Sequence, residues 1–340
     1  MLIAAGVSRL TSMRAIVLRE HGGPEVLRSE ELSQPVPAKH QILVEVHATS
    51  VNPVDAKVRR GGSAARTMPI VLGYDASGVV RDCGPDVEGW NVGDAVFGCP
   101  NLFGAGANAD YVLLDARAAG RKPSTIDHAT AACLPLVSLT AWEALHDRAR
   151  IGPGQTLLIH AGAGGVGHIA IQLARLHGCR VITTAGRAET IAFCRDTLGA
   201  DEVIDHRTLD FVAQTKVLTN GRGVDVVFDT VGDETFRRSI DCVAPGGQIV
   251  TILASTPGDR APTLLYRRIT VHYEFMGVPV AYALDPGHQG SILTAIARLV
   301  DRGFVRPHVS ARYPLERLAD AHRQIETGRT IGKLSVVVRP

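Results

Sequence analysis

Three glycines, Gly162, Gly164 and Gly167, stand in a G-x-G-x-x-G spacing within Ala161-Gly162-Ala163-Gly164-Gly165-Val166-Gly167. That spacing serves one kind of chemistry. It gives a tight turn, a backbone bare enough for a pyrophosphate to approach, and close contact between the following helix and the preceding strand. Unpaired N–H groups at the helix start then face the phosphates. Glycine makes up 35 of 340 residues, so the flanks must decide between this reading and a plain glycine-rich turn. They do so. An apolar run over 156–160 enters the loop, and in the helix that leaves it Val166, Ile169, Ala170, Leu173 and Leu176 recur at three- and four-residue steps. Gly178 sits where a left-handed cap is expected, and a second strand follows over 180–184.

The end of that second strand bears on the choice of dinucleotide. An NAD-binding unit places Asp or Glu about 20 residues past the loop, against the ribose 2′-hydroxyl. Here the position falls at Ala185 or Gly186, with Arg187 beside it. No carboxylate repels a 2′-phosphate there, and a guanidinium fork suits one. NADPH is therefore the expected cofactor, against the plainer reading of Arg187 as a solvated surface charge.

These residues need a scaffold, and the remainder of the chain describes it. The length of 340 residues suggests about two domains. Hydrophobic content of 45%, charged content of 21% and a net charge of +2 carry no basic excess that would point to nucleic acid or a membrane surface. No segment approaches the roughly 20 unbroken apolar residues that span a bilayer. The six cysteines, at 83, 99, 133, 179, 194 and 242, include no C-x-x-C pair, which leaves zinc ribbons and disulfide frameworks without support. Reduced cysteines and a cytoplasmic location are expected, with residues 1–12 as a loose extension. From Arg14 to Leu114, short β-branched runs at 15–18, 42–48, 78–80, 95–97 and 111–114 alternate with Gly and Pro turns, as in a partly open barrel. A helix is expected over 134–148. Strands and helices then alternate, with strands at 203–204, 224–229, 248–253 and 269–275, and a helix carrying Phe236, Ile240 and Val243 on one side. Helices over 291–302 and 315–327 lead to a last strand over 333–338. This α/β pattern implies a doubly wound parallel sheet.

Several further motifs, in order, carry a family resemblance: Val51-Asn52-Pro53-Val54-Asp55-Ala56-Lys57, Leu72-Gly73-Tyr74-Asp75-Ala76-Ser77-Gly78, Val92-Gly93-Asp94-Ala95-Val96, Leu134-Pro135-Leu136, Thr140-Ala141-Trp142, the glycine loop and Ile331-Gly332-Lys333. From Met13 onward the chain resembles the medium-chain dehydrogenase/reductase superfamily, and within it the zinc-free quinone and enone reductases. The resemblance implies a GroES-like partly open β-barrel from residues 13–134 and 309–340. It implies a Rossmann NADPH-binding domain over 135–308. The zinc-dependent members carry Cys-His where this chain has Asn52-Pro53, and His-Glu where it has Tyr74-Asp75. Neither Asn52 nor Tyr74 is a usual zinc ligand, and residues 100–109 lack the four-cysteine structural loop, so no metal site is expected.

The resemblance also places Asn52 beside the nicotinamide, and Thr140 and Lys333 near the nicotinamide and phosphate end of the cofactor. His206, in Ile204-Asp205-His206-Arg207, matches an aromatic position against the 2′-phosphate, with a structural strand-end histidine as the alternative. Lys57, paired with Asp55, is a candidate to stabilise an enolate, and Tyr74 a candidate proton donor. A solvated lysine and a packed core tyrosine stand against those roles, and Asp75 reads as structural. His146, His160 and His168 read as core or surface histidines. The implied function is NADPH-dependent, zinc-independent reduction of quinones or α,β-unsaturated carbonyls by a homodimer. The dimer expectation rests also on the alternation of Ile269, Val271, Tyr273 and Phe275 against Thr270, His272 and Glu274 along a sheet edge. A nucleotide-bound binding protein with little turnover, or an alcohol dehydrogenase, are the other readings.

Overall fold

The computed structural model describes residues 12–62 and 67–339, so the expected extension at 1–12 falls almost wholly outside the described residues. The long strand Gln41–Val51 is the hub of one sheet. It pairs antiparallel with Ala76–Cys83, with Tyr111–Asp115 and with Lys333–Val337. Its side chains are buried at almost every position, which explains the apolar and β-branched sequence of a strand enclosed on both faces. The sheet runs in the order Val309–Pro314, Lys333–Val337, Gln41–Val51, Ala76–Cys83, Ala95–Gly98, Gly120–Arg121. Strands from both ends of the sequence therefore join one sheet. A smaller sheet, Leu27–Ser33, Ser12–Leu18 and Ile70–Val71, lies beside it.

The second large sheet has six parallel strands in the order Glu202–Asp205, Arg180–Ala185, Thr156–Ile159, Val224–Asp229, Val243–Thr251, Thr270–Tyr273. Sequence order reverses between Thr156–Ile159 and Val224–Asp229. In an open α/β sheet, the crevice beyond the carboxyl ends of strands at such a reversal is where ligands bind. The glycine loop leaves the first of these two strands. A continuous core joins the sheet to the barrel, with Leu72, Tyr74 and Phe97 from one side in the same cluster as Leu134, Leu157 and Phe228 from the other.

Several elements depart from the sequence reading. Leu27–Ser33 went unrecognised because it is a mostly exposed strand rich in charge. Val243 does not continue the helix face of Phe236 and Ile240. The helix Asp233–Ser239 ends in a single 3₁₀ turn, and Val243 opens the strand Val243–Thr251, which passes through Gly246 at φ +79°. Glu274, placed on the polar face by alternation, is buried, while its neighbours Tyr273 and Phe275 are about half exposed.

The helix Pro53–Arg59 also escaped the sequence reading, and it forms part of the cleft. Proline at its first position has the right φ already fixed, and Asp55 accepts the Asn52 N–H at 2.8 Å. Its last residue, Arg59, is fully buried and bonded to the Gly22 carbonyl, to Glu326 and, at 3.3 Å, to His322 Nδ1. His322 and Glu326 belong to the helix Leu318–Glu326. A buried charge with this many partners locks the two helices in register.

Candidate active site

A cleft of about 450 Å³ opens where the barrel meets the glycine loop. Gly164, Gly165, Val166 and Gly167 line it, and the helix Gly165–Leu176 starts there. The glycines divide the work. A Cβ on Gly162 would overlap Thr183 Oγ1, and one on Gly167 would overlap the Ala161 carbonyl, so these two permit strand and helix to meet. Gly164 and Gly165 instead leave backbone bare along the cleft. Of the predicted residues, Asn52, Lys57, Thr140, Gly164, Gly165, Val166, Gly167 and Lys333 line the cleft; Gly162 does not.

Beside the loop lies a buried charged cluster. Lys333, 2% exposed, directs its ammonium to Asn52 Oδ1, to Asp75 Oδ2 at 3.3 Å and to the Val51 carbonyl at 3.5 Å. Asp75, fully buried, also accepts from Asn52 Nδ2 at 2.8 Å, from the Leu136 N–H at 2.7 Å and from the Ser50 hydroxyl. Lys333 is tied to the loop through its neighbour Gly332, whose N–H donates to the Ala163 carbonyl at 2.8 Å. One cation therefore fixes the Asn52 amide, the start of the helix Pro135–Trp142 and the glycine loop together.

The expected Asp55–Lys57 pair does not form. Asp55 turns to the backbone N–H groups of Asn52 at 2.8 Å and Gly73 at 3.0 Å. Burial pushes its carboxyl up to about 7, outweighing those two hydrogen bonds. Lys57 is exposed at the cleft. Tyr74 is 2% exposed, lies in the core with Leu72 and Phe97, and is not among the cleft residues. Thr140 donates to the Leu136 carbonyl at 2.7 Å.

Arg187 lies just past Arg180–Ala185, outside the cleft lining. Its guanidinium bonds Glu189 at 2.8 Å and the Arg329 carbonyl at 2.9 Å. His206 and Arg207 converge on the same strand end. The His206 N–H donates to the Ala185 carbonyl at 3.1 Å, and Arg207 Nη1 reaches the Gly186 carbonyl at 3.3 Å. The motif reading singles out His206 and not its neighbour Arg207, which the structure places at the same strand end.

Thr330 was missed as well. It lines the cleft, and its hydroxyl oxygen is buried without a hydrogen-bond partner. A bare glycine backbone, a helix start and an unpartnered hydroxyl on one surface fit a phosphate-bearing ligand. The signal for Thr330 was its place just before Ile331-Gly332-Lys333. His160 and His168 are both buried, and burial lowers each to about 4. They hold Ser239 at 2.8 Å and the Gly164 carbonyl at 3.0 Å, as core histidines do.

Residues 38–124 match the alcohol dehydrogenase GroES-like domain family, and residues 198–337 match the zinc-binding dehydrogenase family. The chain is 30% identical to a quinone oxidoreductase of Pongo abelii, over 93% of this chain and 94% of that protein. An alcohol dehydrogenase superfamily protein from Novosphingobium aromaticivorans superposes with a TM-score of 0.90 at 34% identity, over 96% of this chain and all of that one. The Escherichia coli quinone oxidoreductase complexed with NADPH superposes with a TM-score of 0.86 at 31% identity, covering 96% of this chain and 99% of that one.

The cluster makes a stability prediction. Lys333→Met should strand the Asp75 carboxylate without its cation and lower unfolding free energy by about 3–5 kcal/mol. Adding Asp75→Asn should recover part of that loss. Urea unfolding of the two variants would decide, and a double variant no more stable than the single one would show that the two charges are not coupled.

Proposed function

This chain belongs to the medium-chain dehydrogenase/reductase superfamily, and on that premise we propose that it is an NADPH-dependent, zinc-independent reductase of quinones or α,β-unsaturated carbonyls. The observation that carries the reading is the cleft itself. It joins a bare glycine backbone to the amide of Asn52, and much of its remaining wall, including Leu102, Leu136, Phe275 and Met276, is apolar. Such a surface suits a dinucleotide at one end and a flat carbonyl acceptor at the other.

Gly164, Gly165, the helix start and Thr330 would hold the cofactor. Arg187, with His206 and Arg207 nearby, would meet its 2′-phosphate, in keeping with the NADPH bound by the Escherichia coli relative. When bound, NADPH supplies the hydride. Asn52 orients the reacting ring or carbonyl through an amide that Lys333 and Asp75 hold in one rotamer. Lys57 offers an ammonium to negative charge developing on the acceptor oxygen. The case against zinc is chemical. At the two positions where zinc-dependent relatives carry ligands, Asn52 is engaged by an ammonium and an acid, and Tyr74 is enclosed in the core. Elemental analysis that found one tightly held zinc per chain, lost together with activity, would overturn this.

Three measurements test the proposal. Catalytic efficiency should favour NADPH over NADH by roughly tenfold to hundredfold, the worth of one good phosphate contact, and Arg187→Ala should erase most of that preference. Equal efficiencies in the unaltered protein would sink the assignment, and binding without oxidation across a panel of acceptors would favour a binding protein. Lys57→Ala should lower enone turnover by about 100-fold and quinone turnover less, since a reduced quinone spreads its own charge. Unchanged single-turnover rates on both acceptors would make Lys57 a surface charge.

The third concerns assembly. Thr270–Tyr273 is an edge strand of the parallel sheet, with Tyr273 and Phe275 about half exposed and Tyr266 and Leu265 more so. An apolar sheet edge of this kind pairs with a second copy of itself in a homodimer. Light scattering at micromolar concentration should give twice the chain mass of 36.2 kDa, and a mass near one chain would contradict it.

A further inference from the structure

Two carboxyl groups face each other behind the apolar wall of the cleft. Glu143, 5% exposed, follows the helix Pro135–Trp142, and Glu274, 4% exposed, follows the edge strand. After burial, the Glu274 carboxyl raises that of Glu143, which favours a proton on the pair. Gln289, 1% exposed on the helix Pro286–Asp301, donates to Glu143 Oε1 and to the Met276 carbonyl, both at 2.7 Å. Arg148 Nε holds Glu274 Oε2 at 2.6 Å. Glu274, Phe275 and Met276 all line the cleft. Three elements thus converge through polar side chains on one short stretch of wall.

We propose that Glu143 and Gln289 are positioning residues for the acceptor end of the cleft, which clamp the Glu274–Met276 segment in place through the Gln289 bridge to the Met276 carbonyl. The proposal rests on the reductase reading only in taking that apolar wall as the acceptor's. Neither residue contacts the Lys333 cluster directly. The helix Pro135–Trp142 connects the two, since Asp75 receives the Leu136 N–H near its start and Glu143 follows its end.

The charged and titratable groups around Glu143 favour its neutral form. Glu274 faces it from the edge strand, and Asp147 from its own helical segment adds a second negative field. His288 is bonded to Asp147 at 2.8 Å. The Cys99 thiol approaches from the barrel, and burial raises it further from ionisation. Arg148 is the nearby cation, and it is bound to Glu274. Burial first, and then the Glu274 carboxyl, push Glu143 up to about 9. An acid raised in the folded state stabilises that state fully below its unfolded value, and the advantage is lost as pH rises through the folded value. Above that point two carboxylates would face each other in a buried space, and the wall they hold should loosen.

Glu143→Gln keeps a neutral donor of the same shape, whereas Glu143→Ala removes the clamp. At pH 7 the Gln variant should match the unaltered protein. The Ala variant should raise acceptor KM by about tenfold, with NADPH affinity and kcat changed by less than about threefold. As pH rises from 8 to 10, acceptor KM should climb in the unaltered protein and stay flat in Glu143→Gln. Melting temperature should likewise fall more steeply between pH 5 and 9 in the unaltered protein than in Glu143→Gln. An alkaline KM rise that persisted in the Gln variant, or identical melting profiles, would overturn the proposal. If no acceptor were reduced at any pH, the reductase reading would fail, while the melting profiles would still decide for or against the clamp.

Discussion

The ammonium of Lys333, sealed between barrel and nucleotide-binding sheet, is the interaction on which the rest of the architecture turns. Burying a lysine costs several kcal/mol unless acceptors surround it, and its own strand cannot provide them. The acceptors come from Gln41–Val51, from the loop that carries Asn52 and from Asp75. Asp75 in turn is held at its other carboxylate oxygen by the helix Pro135–Trp142, which presents a free N–H at its first turn. Each partner is needed to keep the next one neutralised.

The nucleotide-binding half was legible because its signals are local. A strand, three spaced glycines and an apolar helix stripe lie within about 25 residues, and each feature restricts the same backbone. The strand Val224–Asp229 was read with its full bounds, since Val224, Val226, Val227 and Phe228 give a short β-branched and aromatic run of strand length. Barrel strands were read short, as with 42–48 inside Gln41–Val51, because polar residues such as Thr49 and Ser50 are buried there by tertiary contacts.

Site chemistry was less legible, and the reasons are physical. Motif order brought Asn52, Thr140 and Lys333 to attention, but no spacing reveals that Asp75 joins all of them to one helix start. Asp55 and Lys57 are two residues apart on a helix, a separation that points side chains away from each other, so the expected pair had no geometric basis. Strand alternation misplaced Glu274. Periodicity records which side of a strand a residue faces, and it does not register a carboxyl buried against Arg148 after the strand has ended. Thr330 shows the complementary difficulty, since an unpartnered hydroxyl can be recognised only once its surroundings are known.

The pairing of Lys333–Val337 with Gln41–Val51 also sets a schedule. Lys333 and its partner Asn52 are 281 residues apart, and during synthesis the early barrel strands emerge long before the strand that completes them. The intervening parallel sheet depends on nearer neighbours and can form first. Until the final segment arrives, Asp75 has no cation and one side of Gln41–Val51 lacks part of its pairing partner. A half-built barrel with an open strand edge and an uncompensated acid is an aggregation-prone species. Contacts of such long sequence separation form slowly. The nucleotide-binding sheet, already folded between the two halves, would hold their ends close together and shorten the search.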